Sequence, residues 1–155
     1  MLCLTTLLVS LPAGAARRSR GGAKANAACT TALQRAVALE GEAKLIEARK
    51  EISTCVKSRC GRAIKRKCLV RYTRLRKNIP TVIPEVRNDK GSLVRDVEVT
   101  MDGQMLTPYT DGRALQINPG LHEFSFSDEQ GVIDKKSIDV APGQQNRRIV
   151  VTTTR

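Results

Sequence analysis

The chain has 155 residues, 41% of them apolar, which is enough for one ordinary domain or two very small ones with a real core. Only 3% of the residues are aromatic and Trp is absent, so the core must rely on Val, Ile, Leu and Ala, and a surface that stacks nucleic-acid bases on aromatic rings is disfavoured. The net charge of +12 is uneven, because residues 17–78 hold 18 Lys and Arg against 4 Asp and Glu, whereas residues 79–155 hold 9 against 11.

The first sixteen residues, 1–16, predict a signal peptide. An apolar stretch from Leu2 to Leu11 is followed by Ala-Gly-Ala at 13–15, the A-x-A pattern of a cleavage site. The stretch is too short to span a bilayer as a stable anchor. No later segment approaches 18 continuous apolar residues, so we expect no transmembrane segment in the mature chain. The predicted localisation is extracytoplasmic, either periplasmic or secreted. The alternative is a disordered apolar N-terminus.

Residues 17–28 are basic and free of large apolar side chains, which is typical of a flexible linker. Three helices are predicted in the helical segment 29–79, from about 31 to 40, 43 to 56 and 62 to 78, and Thr30 or Thr31 is predicted to cap the first. Each has apolar residues at helical spacing. These faces are Leu33, Ala36 and Val37; Leu45, Ala48, Ile52 and Cys55; and Ile64, Cys68, Tyr72, Leu75 and Ile79.

Four cysteines follow the predicted cleavage site, an even number that favours disulfides in a small exported chain. They are Cys29, Cys55, Cys60 and Cys68. Four thiolates could bind zinc, but no C-x-x-C pair is present, so no metal is predicted. A Cys60–Cys68 bond is excluded if the third helix is regular from Cys60, because eight residues of helix span about 12 Å. We favour Cys29 bonding to Cys55 or to Cys60.

The third helix carries eight cations and no acid within 16 residues. No acid four residues away relieves their mutual repulsion, and the second helix offers only Glu47 and Glu51 as neighbours. The charges form either a solvated face or an anion-binding face. The predicted anion-binding residues are Arg62, Lys65, Arg66, Lys67, Arg71, Arg74 and Lys77.

From Pro80 onward the apolar period changes from helical spacing to alternation, and the charge step falls at the same place. Val97, Val99 and Met101 alternate with polar residues, as do the positions around Phe124 and Phe126. Together with the turn signals between them, these segments predict six or seven short strands in residues 80–155.

The turns and strands of this half resemble a PEGA-type module. The matching residues are Asp102-Gly103, Thr107-Pro108, Leu115-x-Ile117, Pro119-Gly120-x-His122 and Pro142-Gly143. The resemblance implies a small β-sandwich, related in shape to the prealbumin-like carboxypeptidase regulatory fold, that serves cell-envelope proteins without catalysis. Leu45-x-x-Ala48-x-x-x-Ile52 resembles the second helix of a tetratricopeptide-type hairpin.

We therefore expect a segregated α+β chain, with an N-terminal three-helix segment followed by a small antiparallel β-sandwich of prealbumin-like form. His122 is the only histidine, no nucleophile has a second histidine to serve it, and no phosphate-binding glycine loop is present, so neither enzyme activity nor a cofactor is predicted. His122 is expected to be a packed strand residue at the edge of the core.

The predicted function is a non-catalytic cell-envelope or extracellular binding or scaffold protein, whose basic helices contact an anionic surface or an acidic protein partner. One alternative, if the signal peptide is not real, is a cytosolic nucleic-acid-binding protein. Another is a truncated ectodomain of a membrane-anchored regulatory protein.

Overall fold

The computed structural model describes residues 17–57 and 59–154, so the predicted signal peptide lies outside the described residues. Three helices come first: α1 (Arg17–Gly41), α2 (Leu45–Lys57) and α3 (Arg62–Asn78). Eight strands follow: β1 (Thr81–Asn88), β2 (Leu93–Val94), β3 (Glu98–Met101), β4 (Gln104–Thr107), β5 (Leu115–Gln116), β6 (Gly120–Asp128), β7 (Gly131–Val140) and β8 (Arg147–Thr153). The segregated α+β arrangement is therefore confirmed. None of the helices among the described residues is long and apolar enough to cross a membrane.

The segment 17–28 is helical, so the prediction of a flexible linker is wrong. Helix α1 begins at Arg17 and continues to Gly41. Ala, Arg and Lys dominate this segment, and all three are good helix formers. The predicted cap at Thr30 or Thr31 is also wrong, because both hydroxyls lie inside the helix and donate to the carbonyls four residues earlier, at 2.9 and 3.1 Å.

The helical half packs α1 and α3 against α2 around one apolar core. The faces predicted for the second and third helices are confirmed, with Leu45, Ala48, Ile52, Cys55, Cys68, Leu75 and Ile79 buried. Of the face predicted for α1, Ala36 is buried and Leu33 is partly buried, while Val37 is 46% exposed; Cys29 and Ala32 are buried beside them. The prediction that Val37 faces inward is therefore wrong. Small Ala side chains allow α1 to approach α2 closely, which turns Val37 to the side.

The β half consists of two four-stranded sheets that enclose a second core. One sheet has the order β4-β3-β6-β7 and is antiparallel throughout. In the other, β1 pairs antiparallel with β2 and β5 but parallel with β8, over residues 82–88 and 147–153. The antiparallel prediction thus fails for this one pair, in which the first and last strands lie side by side.

The inner faces of the two sheets supply the sandwich core. Its fully buried members are Val82, Val86, Val97, Val99, Ile117, Phe124, Phe126, Val140, Ile149 and Val151. The alternation of apolar and polar residues predicted this inward face, because successive strand residues point to opposite sides. Both phenylalanines lie at its centre and are its largest side chains, fully excluded from solvent.

The two halves meet at the N-terminal end of α2, where Asn118 of the sandwich contacts the helix. The side-chain oxygen of Asn118 accepts the backbone N–H of Ile46 at 2.9 Å, and its amide nitrogen donates to Oε2 of Glu47 at 2.9 Å. The first N–H groups of a helix have no partner within the helix, so Asn118 satisfies one of them. Gln145 adds a second link by donating to the carbonyl of Ile79 at 2.8 Å.

Candidate functional site

The candidate site is built on α3, whose charged and apolar residues are sorted by helical geometry. Its buried residues Cys68 and Leu75, together with the partly buried Ile64 and Tyr72, are spaced three or four positions apart and therefore share one face toward α2. The remaining positions point outward. Six cations there are exposed and form no ion pair with a carboxylate among the described residues. These six, called the free cations below, are Arg62, Lys65, Arg66, Lys67, Arg76 and Lys77.

The other two cations of α3 are bound by one carboxylate of α1. Oε1 of Glu40 lies 2.7 Å from Nη1 of Arg71, and Oε2 lies 2.7 Å from Nη2 of Arg74. The Glu40 side chain is only 17% exposed. Glu47 and Glu51, the acids that α2 was expected to offer, form no ion pair with α3 among the described residues; Glu47 instead accepts from Asn118. Arg71 and Arg74 therefore stabilise the α1–α3 contact, in addition to any role toward a ligand.

A groove of about 390 Å³ runs between α1 and α3, beside these cations. Its lining residues are Leu33, Val37, Arg66, Lys67, Val70, Arg71 and Arg74. Leu33 and Val37 lie one turn apart on α1, and Val70 is 66% exposed on α3. The groove thus combines apolar side chains of both helices with cationic side chains of α3.

Two disulfide bonds hold the helices at the end of the bundle opposite Glu40. Cys29 of α1 bonds to Cys60 in the α2–α3 connection, and Cys55 of α2 bonds to Cys68 of α3. The Cα separations are 6.2 and 6.1 Å, in the usual range. The Cys29–Cys60 bond is one of the two pairings favoured for Cys29. With Glu40 at the other end, these bonds fix the spacing of α1 and α3 along the groove.

The cysteine cluster engages its sulfurs in these bonds. The Sγ atoms of Cys29, Cys55 and Cys60 lie within 4.8 Å of one another. A metal ion is bound by the thiolate, and a disulfide sulfur has no such charge to offer. The chemistry of the cluster in this state is therefore that of covalent cross-links.

His122 lies at the edge of the sandwich core, as its alternation with Phe124 predicts. Its Nδ1 lies 2.7 Å from Oδ2 of Asp102, and its Nε2 lies 2.9 Å from the backbone oxygen of Asn118. The ring meets Phe124 edge-on at a centroid distance of 6.4 Å. The hydrogen bond from His122 lowers the pKa of Asp102 below its ordinary value. The histidine thus links a hairpin turn to the residue that contacts α2.

Sequence reasoning identified the basic helix but missed three features of the site. It missed Glu40 as the partner of Arg71 and Arg74, because 31 and 34 residues separate the acid from these cations and no local pattern connects them. It placed Val37 in the core. It also did not single out Val70, although a valine among exposed cations is itself a signal of an amphiphilic surface.

The chain was compared with models of known protein families and with curated proteins, and neither comparison gives a match. The site must therefore be interpreted from its own geometry. That geometry offers free positive charge, an apolar groove and a disulfide-fixed frame, which are properties suited to binding.

Proposed function

We propose that this chain is a non-catalytic binding or scaffold protein of the cell envelope or the extracellular space. Its basic helices contact an anionic surface or an acidic partner, and the sandwich serves as a rigid platform. One observation carries the proposal: six exposed cations of α3 form no ion pair with a carboxylate among the described residues. A concentration of uncompensated charge attracts anions and accelerates their association.

The extracytoplasmic location is supported by the two disulfide bonds. Disulfides persist in oxidising compartments such as the periplasm and the extracellular space, and they are rare in cytosolic proteins. This weighs against a cytosolic nucleic-acid-binding protein. N-terminal sequencing of the protein from its natural host tests the location directly: cleavage near Ala15 supports export, and an intact Met1 on cytosolic protein contradicts it.

We assign the platform role to the sandwich as a PEGA-type module. The two-residue turn between β3 and β4 supports this, because Asp102 and Gly103 both have positive φ, 52° and 77°, as a tight hairpin turn requires. Pro119-Gly120 leads into β6 and Pro142-Gly143 lies between β7 and β8, so these family-like turns stand at strand ends. A module of this kind presents the helices without taking part in chemistry.

The binding function is tested by removing free cations from α3 in the full chain. We expect R62Q/R66Q/K67Q to elute from heparin at lower salt and to lose co-sedimentation with anionic vesicles, because each cation near an anionic membrane contributes about 1 kcal/mol. The matched control is K90Q/R95Q/R147Q, which removes the same charge from sandwich residues that are likewise exposed and form no ion pair with a described carboxylate. Arg71 and Arg74 are left unchanged, since they bind Glu40.

The binding of the two variants and of the wild-type protein decides between the possible surfaces. If the α3 variant loses binding and the sandwich variant keeps it, the basic helix is the binding surface. Equal loss in both variants would mean that only net charge matters. Equal binding of the wild-type protein to anionic and neutral vesicles, or none at low salt, would mean that the cations of α3 form a solvated face.

A further inference from the structure

We propose that the groove between α1 and α3 is a docking site for an acidic amphipathic helix of a partner protein. This inference rests on the proposed function and names its ligand class. The observation behind it is that the groove presents apolar and cationic side chains together. A purely electrostatic surface would not need the apolar residues Leu33, Val37 and Val70 beside its cations.

The shape of the groove fits a helix. Helices α1 and α3 both pack antiparallel on α2, so they run parallel to each other and leave a channel between them. The lining of α3 extends from Arg66 to Arg74, about 12 Å along the helix, which is about two turns of an occupant. An amphipathic helix binds such a channel through apolar residues spaced three and four apart. A flat bilayer would meet the cations at the edge and leave Leu33, which is partly buried, without contact.

The charge of the groove determines the polarity of the occupant. At one end Arg66 and Lys67 are free, whereas at the other end Arg71 and Arg74 share Glu40. Acidic side chains of the partner helix therefore lie against Arg66 and Lys67. The same argument disfavours a second copy of the helical segment as the occupant, because residues 17–78 hold 18 Lys and Arg against 4 acids, and two such segments repel each other.

The groove is also held ready for a ligand. The Cys29–Cys60 bond fixes α1 to the start of α3, and the Glu40 ion pairs fix the other end. Binding to a preformed channel avoids the cost of ordering it, so more of the contact energy appears as affinity. Val37 and Val70, 46% and 66% exposed, are available to be covered by the apolar stripe of a partner.

The probe is a designed peptide of about 18 residues, five helical turns, with Leu on one face and Glu beside it. Its control is an isomer of the same composition in which the Leu residues are spread around the helix. Both carry a fluorophore, and their affinity for the full-length, disulfide-bonded protein is measured by anisotropy. We expect the amphipathic peptide to bind about tenfold more tightly, the ratio given by burial of one additional valine-sized side chain.

Three variants separate the contributions. V37S/V70S removes the two exposed valines of the groove. It should abolish the preference for the amphipathic peptide, while retention on heparin stays unchanged. R66Q/K67Q should weaken the binding of both peptides. K65Q/R76Q is the matched control, since it removes two free cations that do not line the groove, and it should keep the preference.

The outcomes distinguish this inference from the function on which it rests. Equal affinity for the two peptides, with heparin binding intact, overturns the helix-docking site and leaves anion binding standing. Strong binding to anionic vesicles without binding of either peptide also overturns it, in favour of a lipid surface. Failure of the peptides, heparin and vesicles alike contradicts both proposals.

Discussion

Glu40 sets how much of the basic helix is available to a ligand. It is a largely buried carboxylate that accepts from two arginines of another helix, so two of the eight cations of α3 are already partnered. Charge-assisted hydrogen bonds of this kind are stronger than neutral ones, and they join α1 to α3 at the end of the bundle that has no disulfide. The count of cations in the sequence therefore overstates the charge that is free to bind.

Replacing this acid tests its role. We expect E40Q to lower the free energy of unfolding by about 1–2 kcal/mol, because two charged hydrogen bonds are lost in a partly buried place. The same change frees Arg71 and Arg74, so the variant should elute from heparin at higher salt. E42Q is the control, since Glu42 is exposed and pairs only with exposed Lys44. Denaturant unfolding that shows the same stability for both variants would contradict the role of Glu40.

We expect Asp102 to make the stability of the sandwich depend on pH in the acid range. Its carboxylate accepts from His122 and from the backbone N–H of Glu123, and the His122 hydrogen bond is the main cause of its lowered pKa. A group whose folded pKa is depressed stabilises the fold above its unfolded pKa, which is about 3.9 for Asp, and this contribution is lost as pH falls through the folded value.

Because the pKa of Asp102 is lowered in the folded state, the free energy of unfolding should decline below about pH 4. D102N should show a smaller decline because it has no proton to gain there. Asn also tolerates the positive φ of this turn position, so the backbone is preserved. The measurement is chemical denaturation of both proteins at neutral and at acidic pH. Identical pH dependence in the two proteins would show that Asp102 is not responsible.

Among the elements, the disulfides explain how the three helices remain together over a small core. A cross-link that closes 13 residues stabilises by about 3 kcal/mol in the chain-entropy model, and one that closes 31 residues by slightly more. Cys55 lies on the buried face of α2 and meets Cys68 on the buried face of α3, whereas Cys60 lies beyond the end of α2 and reaches Cys29.

The pairing is open to a direct check, because trypsin can cleave between all four cysteines. Non-reduced digestion should yield two cross-linked pairs, ANAACTTALQR with CGR and EISTCVK with CLVR. Mass spectrometry before and after reduction identifies them. A pair of ANAACTTALQR with EISTCVK would instead indicate a Cys29–Cys55 bond, and four free thiols in protein purified without reductant would contradict the cystine frame altogether.

The elements show where sequence reasoning succeeds and where it fails. The apolar stripe of α3 and the alternation around Phe124 were predicted correctly, because periodicity is a local property of the chain. The linker prediction for residues 17–28 failed, because basic and small residues fit both a coil and a solvent-exposed helix. The choice between Cys55 and Cys60 as partner of Cys29 was left open, because Cys60 lies in the connection between α2 and α3, whose path no periodic pattern predicts.

The candidate site was likewise predicted only in part from the sequence. The cations of α3 were predicted from composition, but the groove depends on which residue of α1 faces α3, and Ala36 and Val37 are both apolar. Packing selects the smaller one for the close contact with α2. The Glu40 ion pairs and the parallel β1–β8 pair are contacts between distant segments, for which this sequence offers no local signal.

For the whole molecule, the described residues form two separate cores. The helical core ends with Ile79 and the sandwich core begins with Val82, and no described residue belongs to both. Described hydrogen bonds from Asn118 and Gln145 link the halves. This division matches the charge step along the chain, since the basic helical half and the sandwich half each have their own packing.

Independent cores predict independent folding. We expect residues 80–155 alone to form a stable β module without metal or cofactor, because the buried alternating residues of both sheets lie within that fragment. Circular dichroism and thermal unfolding of the fragment provide the measurement. A disordered spectrum for the fragment, beside a folded full-length protein, would show that the helices are needed to complete the sandwich.

We propose that the ligand-binding surface of this protein is the basic face of its helical half. Mapping the binding residue by residue tests this proposal most directly. Nitrogen–proton correlation spectra of the full-length protein are recorded during titration with a heparin oligosaccharide at low salt. We expect the shifted amides to cluster on α3 and the adjoining turns of α1, and we expect the shifts to diminish as salt is added. Shifts confined to the sandwich, or no shifts at low salt, would contradict it.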